Sequence, residues 1–341
     1  MSEPVRADEV ARRIEHVRDL VRSLGGGGVL LSTRRNFSWL TLGGVNHVVL
    51  ASEGGAVPLL ISEQNVVALA PINEAARIAD EELAGLPLEV RAVPWHADLD
   101  EHARSVTGGG RLLGDADLED VLMPERSRLG PLERERMAEL GRLAANAVDA
   151  ALAELAPGDT ESDAEAAVLA TLARGRARAP VLLAAADDRI DRYRHPLPAG
   201  TPAHRRLMLV LVVERWGLHA AVTRIRELEP PGAELQRRLE AAAFVLDAMH
   251  EATRPAATLG EVLRAAVDAY RESSFPGEWE LHHQGGSIGY RGREAIAVPG
   301  DVTAIEPTMA FAWNPSITGA KAEETVLLQP DGSRQIVTRA T

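Results

Sequence analysis

No cysteine occurs among the 341 residues, which excludes disulfides, thiolate nucleophiles and thiolate metal sites and leaves the redox compartment open. A basic excess is missing as well. The formal net charge is −13, whereas nucleic acid and anionic lipid both require a basic face. No apolar run is long enough to span a bilayer, and the charged start MSEPVRADEVARRIEHV lacks the apolar core of a secretory signal. These absences point to a cytoplasmic protein without nucleic-acid or membrane partners, acting on a small molecule or short peptide.

What is present is ordinary for a globular chain, with 45% hydrophobic and 26% charged residues. The length suits two domains better than one core. Apolar positions Val10, Ile14, Val17, Val21 and Leu24 predict a helix over residues 7–24 that stops at Gly25-Gly26-Gly27-Gly28. That glycine run lacks the Lys-Ser/Thr of a phosphate-binding loop and leads into VLLS, so it reads as a flexible turn.

From Val29 to about Ala116, the β-rich runs VLLS, HVVLAS, AVPLLIS, LEVRAVPW and RLLGDA alternate with helical stretches such as residues 63–83, the pattern of an α/β domain. The charged, proline-containing stretch LEDVLMPERSRLGPLERERMAEL then places a boundary near residue 128 and predicts domains 1–127 and 128–341. Beyond it come helices over 131–155 and 160–175, β-rich runs at 180–186, 207–214 and 218–226, helices over 232–253 and 259–273, and a strand-rich tail. Helices and strands follow one another in blocks, which favours an antiparallel α+β arrangement.

The tail carries HHQGGSIGYRGREA at residues 282–295 and AFAWNPSITGAKAEETVLL from residue 310. Together with PGDTESDAEAAV and MLVLVVERWGLHAAVTR, in that order along the chain, these segments resemble the creatinase, aminopeptidase P and prolidase family, peptidase M24. The resemblance implies a small N-terminal α/β creatinase-like domain, to which NFSWLTLGG belongs, and a C-terminal α+β domain with the pita-bread fold.

Metal-dependent members of that family hold two divalent cations with two aspartates, a histidine and two glutamates, and so activate a bridging water. Aligned on Gly217 and Thr223-Arg224, the aspartate positions fall at Val210 and Ala221. The family's Gly-His-Gly-Ile-Gly becomes Gly285-Gly286-Ser287-Ile288-Gly289, its Glu-Pro becomes Asn314-Pro315, and Glu323 alone survives. The resemblance therefore implies no dinuclear metal centre and no cofactor, because such cages need several converging anionic oxygens. It leans toward creatinase, a metal-free branch, through His195 before Pro196-Leu197, Tyr290-Arg291-Gly292-Arg293-Glu294-Ala295, and Ala221.

By the same resemblance His195 is the proton-handling histidine, a role that suits an imidazole of pKa about 6.5. His282 takes the substrate-positioning place, and since neighbouring strand residues point to opposite faces, His283 is expected to turn away from the cleft. Gly286, with Gly285 and Gly289, serves either as a turn residue or to let backbone amides approach a ligand. Arg293 offers a planar fork to a substrate carboxylate, or else pairs with Glu294. Asn314 positions the substrate. Glu323 either accepts hydrogen bonds from Lys321 and the histidines or rises in pKa and joins the catalytic set as an acid or base. Trp39, Asn46 and His47 belong to the segment that in the family closes a neighbour's pocket, which implies a homodimer.

These roles describe a metal-independent creatinase-like hydrolase cleaving a C–N bond of a small carboxylate-bearing molecule. The same groups suit a biosynthetic lyase, isomerase or cyclase. Two further readings are an inactive binding protein on the same fold and a metal-dependent Xaa-Pro peptidase.

Overall fold

The computed structural model describes residues 3–107 and 110–339, and the chain divides into two compact units, Met1–Arg126 and Ser127–Thr341. The first contains α1 (Glu3–Ser23), β1 (Gly28–Thr33), α2 (Arg34–Leu40), β2 (Gly54–Ser62), β3 (Val66–Pro71), α3 (Ile72–Arg77), β4 (Glu89–Val93), α4 (Leu99–Val106), β5 (Leu112–Gly114) and α5 (Asp115–Ser127), whose last residue begins the second unit. Its sheet runs β4-β3-β2-β1-β5 and is mixed: β1–β5 and β3–β4 are parallel, and the other pairs antiparallel.

Val10, Ile14, Val17 and Val21 form the buried stripe of α1, as the helical spacing predicts, whereas Leu24 lies past its end and is exposed. Three expectations for this unit change. HVVLAS is a turn-rich connection with Val48 and Val49 exposed, not a strand. Within 63–83, VVALAP is strand β3, because an uninterrupted apolar run carries no helical period and is buried here on both faces. The glycine turn is held rather than flexible: Gly26 N–H donates to the Val21 carbonyl and Gly27 N–H to the Arg111 carbonyl. A Cβ on Gly27 would meet the Gly110 Cα at 2.8 Å, so the close approach requires glycine.

The second unit contains α6 (Pro131–Ala153), α7 (Glu161–Arg174), β6 (Arg178–Ala186), α8 (Asp188–Arg192), β7 (Arg206–Arg215), β8 (Leu218–Glu227), α9 (Ala233–Ala252), α10 (Leu259–Glu272), β9 (Gly285–Ile288), β10 (Ala295–Ile296), β11 (Ala310–Trp313), β12 (Ser316–Ile317), β13 (Ala320–Lys321), β14 (Glu324–Leu328) and β15 (Arg334–Ile336). Helix starts are set by local chemistry. Pro131 opens α6 with no N–H to satisfy, and Thr160/Asp163 and Thr258/Glu261 form reciprocal capping boxes on α7 and α10.

Two antiparallel sheets result, β6-β7-β8 and β10-β9-β11-β14-β15, with the β12–β13 hairpin beside them. Helix α6 packs on β7 and β8. Helices α9 and α10 share an apolar core with the second sheet around Met249, Tyr270, Phe311 and Trp313. An isolated bridge between Thr223 and Glu323 ties one sheet to the other. That junction places β8, β13 and the start of β14 around one cleft.

Candidate active site

The loop after α8 carries His195, and it is pinned from both sides. Buried Glu161 at the start of α7 accepts hydrogen bonds from Ala186 N (2.8 Å), Arg189 Nε (2.8 Å) and Ala199 N (2.7 Å). Arg194 reaches across to Glu278 (2.6 Å), Ser316 (3.1 Å) and Thr318 (3.1 Å). His195 is thereby an exposed side chain on an immobilised backbone.

Residues 282–285 form the facing wall. Buried Gln284 fastens it, accepting from the Tyr270 hydroxyl at 2.7 Å and donating to the Trp279 carbonyl at 3.0 Å. His282 Nε2 then lies 3.0 Å from His195 Nε2, so one imidazole donates and the other accepts. His283 does not turn away. Its ring stacks on His282 at 4.3 Å between centroids and lies 6.3 Å from that of His195. The simple alternation fails because residues 282–284 precede β9 and follow a 3-10 turn at Glu278–Leu281, outside any paired strand.

Beneath the histidines Glu323 is almost fully buried. Its carboxylate accepts from Thr223 Oγ1 at 2.6 Å and from Arg293 Nη2 at 3.1 Å, with Lys321 Nζ at 3.6 Å. Burial opposes its ionisation, yet Lys321, Arg293 and Thr223 together hold the carboxyl below its ordinary range. The expectation of a raised, proton-carrying Glu323 is therefore corrected: two cations and a hydroxyl, not the histidines, occupy its oxygens. Lys321 is lowered from its usual value by burial, with Glu323 acting against the fall. Two cations against one carboxylate leave the cleft with an excess positive charge.

Several polar atoms here are buried without a hydrogen-bond partner among the described residues: Asn314 Oδ1, Arg293 Nε, and Nδ1 of both His282 and His283. Buried polar groups are normally satisfied. Four such atoms belong to residues of this one site, where a ligand's polar groups would satisfy them. Asn314 itself is fixed by its backbone N–H, which donates to the Gln284 carbonyl at 3.1 Å.

The other predicted residues lie elsewhere. Gly286 is buried in β9 with β10 on one side and β11 on the other, and a Cβ there would strike the Ala295 carbonyl oxygen at 1.9 Å. Its smallness serves strand packing, which corrects the ligand-approach reading. In the first unit Trp39 is buried beneath the Arg13 guanidinium, 5.1 Å from the ring centroid, and Asn46 is buried with its amide donating to the Val57 carbonyl at 2.8 Å. Both are interior residues rather than surface ones. His47 is half-buried beside exposed Val48 and Val49.

The metal-ligand positions of the resembling family can be tested against this geometry. Val210 packs in an apolar cluster with Leu183, Ala185, Ile190 and Met208, Ala221 offers only backbone groups, both bonded to Thr325 Oγ1, and Gly286 has no room for a side chain. Glu323 is taken by Lys321 and Arg293. A single carboxylate beside an amide does not match the anionic oxygen set of a dinuclear site. Gly286→His should thus unfold or strongly destabilise the second unit rather than restore metal binding, as thermal melts with and without Mn²⁺ will show.

Burial and the neighbouring cations disfavour protonation of the imidazoles. His282 is lowered to about 3 and His283 to about 4, each chiefly by burial, with Lys321 acting on both and Arg293 on His283. His195 is lowered by burial and then by Lys321, with Glu323 opposing. Elsewhere His250 is lowered to about 4 by burial. The unfolded chain takes up these protons as pH falls through the ordinary value near 6.5 and the folded chain resists, so stability is full above that pH and declines below it. A urea midpoint clearly lower at pH 5.5 than at pH 7.5 is the expected result.

Residues 135–330 match Metallopeptidase family M24. In sequence the chain is 29% identical over 126 residues to the probable dipeptidase PepE of Mycobacterium tuberculosis and of Mycobacterium bovis, a match spanning 34% of this chain and 32% of that relative. In structure it is similar to the prolidase from Pyrococcus horikoshii OT3 (TM-score 0.80, 16% identity, 97% of this chain and 99% of that one). It is also similar to the X-Pro aminopeptidase from Thermotoga maritima MSB8 (TM-score 0.77, 16% identity, 96% and 98%) and to the dipeptidase PepE from Mycobacterium ulcerans (TM-score 0.77, 16% identity, 98% and 97%). With the α+β architecture on which the cleft is built, these matches give the expected fold, and the chain belongs to metallopeptidase family M24, with its pita-bread fold.

Proposed function

We propose that the protein hydrolyses a C–N bond in a small carboxylate-bearing molecule without the dinuclear metal centre of the metal-dependent members of its family. One observation carries this reading: a close His195–His282 pair stands over a carboxylate held by Lys321 and Arg293, where neither Val210, Ala221 nor Gly286 supplies a ligand.

In this mechanism neutral His195 takes a proton from water while the water oxygen adds to the carbon of the C–N bond. The imidazolium then returns that proton to the departing nitrogen, so a C–O bond forms as the C–N bond breaks. His282, facing His195 Nε2, fixes which nitrogen carries the proton. The free Nε of Arg293 and the excess positive charge attract the substrate carboxylate, and Asn314 Oδ1 accepts an N–H of the scissile group. An imidazole-activated water is a weaker nucleophile than a metal-bound hydroxide, so an amidine, urea, aminal or strained ring is favoured over a peptide bond. The reading keeps the expectation of a homodimeric cytoplasmic enzyme.

The test is a panel of such compounds and Xaa-Pro dipeptides, incubated in ¹⁸O-labelled water with chelator-treated protein. One ¹⁸O per product from a carboxylate-bearing C–N compound supports the reading. Hydrolysis of dipeptides alone, abolished by chelator and restored by Mn²⁺ or Co²⁺, sinks it. Since the base must be unprotonated and His195 lies below its ordinary value, kcat/KM should stay flat from pH 8 down to about 6.5 and fall only below.

A further inference from the structure

The sequence pattern treats the two neighbouring histidines as diverging, but the fold gathers three imidazoles at one mouth. One ring nitrogen each from His195, His282 and His283 lies within 4.8 Å of the others, and no other group of three His, Asp or Glu side chains among the described residues is arranged to hold a metal ion. The His195 and His282 nitrogens are 3.0 Å apart.

A tetrahedral zinc ion bound at about 2.0–2.1 Å needs ligand nitrogens roughly 3.3 Å from one another. The closest pair already meets this, and a side-chain rotation that brings the widest spacing in by about 1.4 Å completes it. Three imidazoles with one position left to water form an open donor set for a late first-row ion, and imidazole suits Zn²⁺, Cu²⁺ and Ni²⁺ rather than Mg²⁺ or Ca²⁺. The surroundings agree in part. The three rings gather at one place, but Nδ1 of His282, the nitrogen turned away from His195, has no partner among the described residues to orient it, and the Lys321 and Arg293 charges, only partly offset by Glu323, weaken the binding of a cation.

We propose that His195, His282 and His283 form a mononuclear site for a zinc-class ion, separate from the family's dinuclear position at Val210, Ala221, Gly286, Asn314 and Glu323. The inference rests on the imidazole geometry alone and stands whether or not the hydrolytic reading does. An ion held there uses the lone pairs that proton transfer needs, so metal and acid–base chemistry compete for the same nitrogens.

Equilibrium dialysis of tag-free, chelator-stripped protein against Zn²⁺, with elemental analysis, tests the site. The same titration with Co²⁺ reports geometry through visible d–d absorption. The expected result is one ion per chain and a tetrahedral cobalt spectrum, weakened by about tenfold or more in His283→Ala and by less in Glu323→Gln, which keeps all three imidazoles but loses the carboxylate that offsets Lys321 and Arg293. His283 is half-buried and outside the paired strands, so its alanine variant breaks no strand pairing, and a melt matching the parent's confirms that the variant is folded. No zinc bound at about 100 µM, well above the binding constants of ordinary protein zinc sites, overturns the inference. Binding unchanged in His283→Ala, or lost in Glu323→Gln while kept in His283→Ala, overturns it too, because the ion then lies at the family position.

Discussion

His195→Ala is expected to lower kcat by roughly 10²–10⁴-fold, the usual weight of one general acid or base, with KM changed far less. The split follows from geometry. His195 is exposed at the mouth of the cleft and holds no buried charge, so its loss removes a proton carrier without loosening the walls made by Gln284, Asn314 and Arg194. Arg293→Ala should do the reverse and raise KM, since it removes the guanidinium to which the substrate carboxylate is assigned and whose Nε has no partner among the described residues. Steady-state kinetics on the substrate found in the labelled-water panel decide the matter. Full activity in His195→Ala would end the acid–base reading and make His282, 3.0 Å away, the next proton carrier to test.

Much of this arrangement was legible from residue order. The α1 stripe, the helical periods of α7 and α10, and the runs that form β7 and β8 are local patterns, and local physics decides them. VVALAP and HVVLAS depart from their expected elements because a short apolar run looks alike in helix, strand and turn until its neighbours decide. Pro124, within the stretch that places the boundary near residue 128, lies inside α5, whose last turn is held by buried Arg126 bonding to Asn36 and Glu119, residues distant in sequence or on another turn. At the candidate site, motif order alone leads to His195, His282, Asn314 and Glu323, and the fold sets the first two 3.0 Å apart. The turn of His283 into the cluster, the pinning of Arg194 and the packing of β10 and β11 around Gly286 depend on backbone paths that no spacing encodes.

Glu323→Ala should destabilise the second unit by about 3–5 kcal/mol, the cost of stranding a buried charge. Lys321 has 6% of its side chain exposed and Arg293 17%, against 2% for Glu323, so water cannot replace the missing carboxylate for Lys321. Thr223 Oγ1 also loses its acceptor, and with it one hydrogen bond beside the bridge between the two sheets. For a unit of this size the loss corresponds to a fall of roughly 6–20 °C in Tm. The double variant Lys321→Met/Glu323→Leu removes both charges and should recover much of the stability, because a buried pair replaced by packed hydrocarbon is often neutral or better. It should not recover activity, since Arg293, held at 3.1 Å by the Glu323 carboxylate, loses the partner that positions its guanidinium. Calorimetry of the two variants separates the outcomes: a loss below about 1 kcal/mol in Glu323→Ala would mean that Lys321 reaches water after all, and the electrostatic trap assigned to this cleft would have to be abandoned.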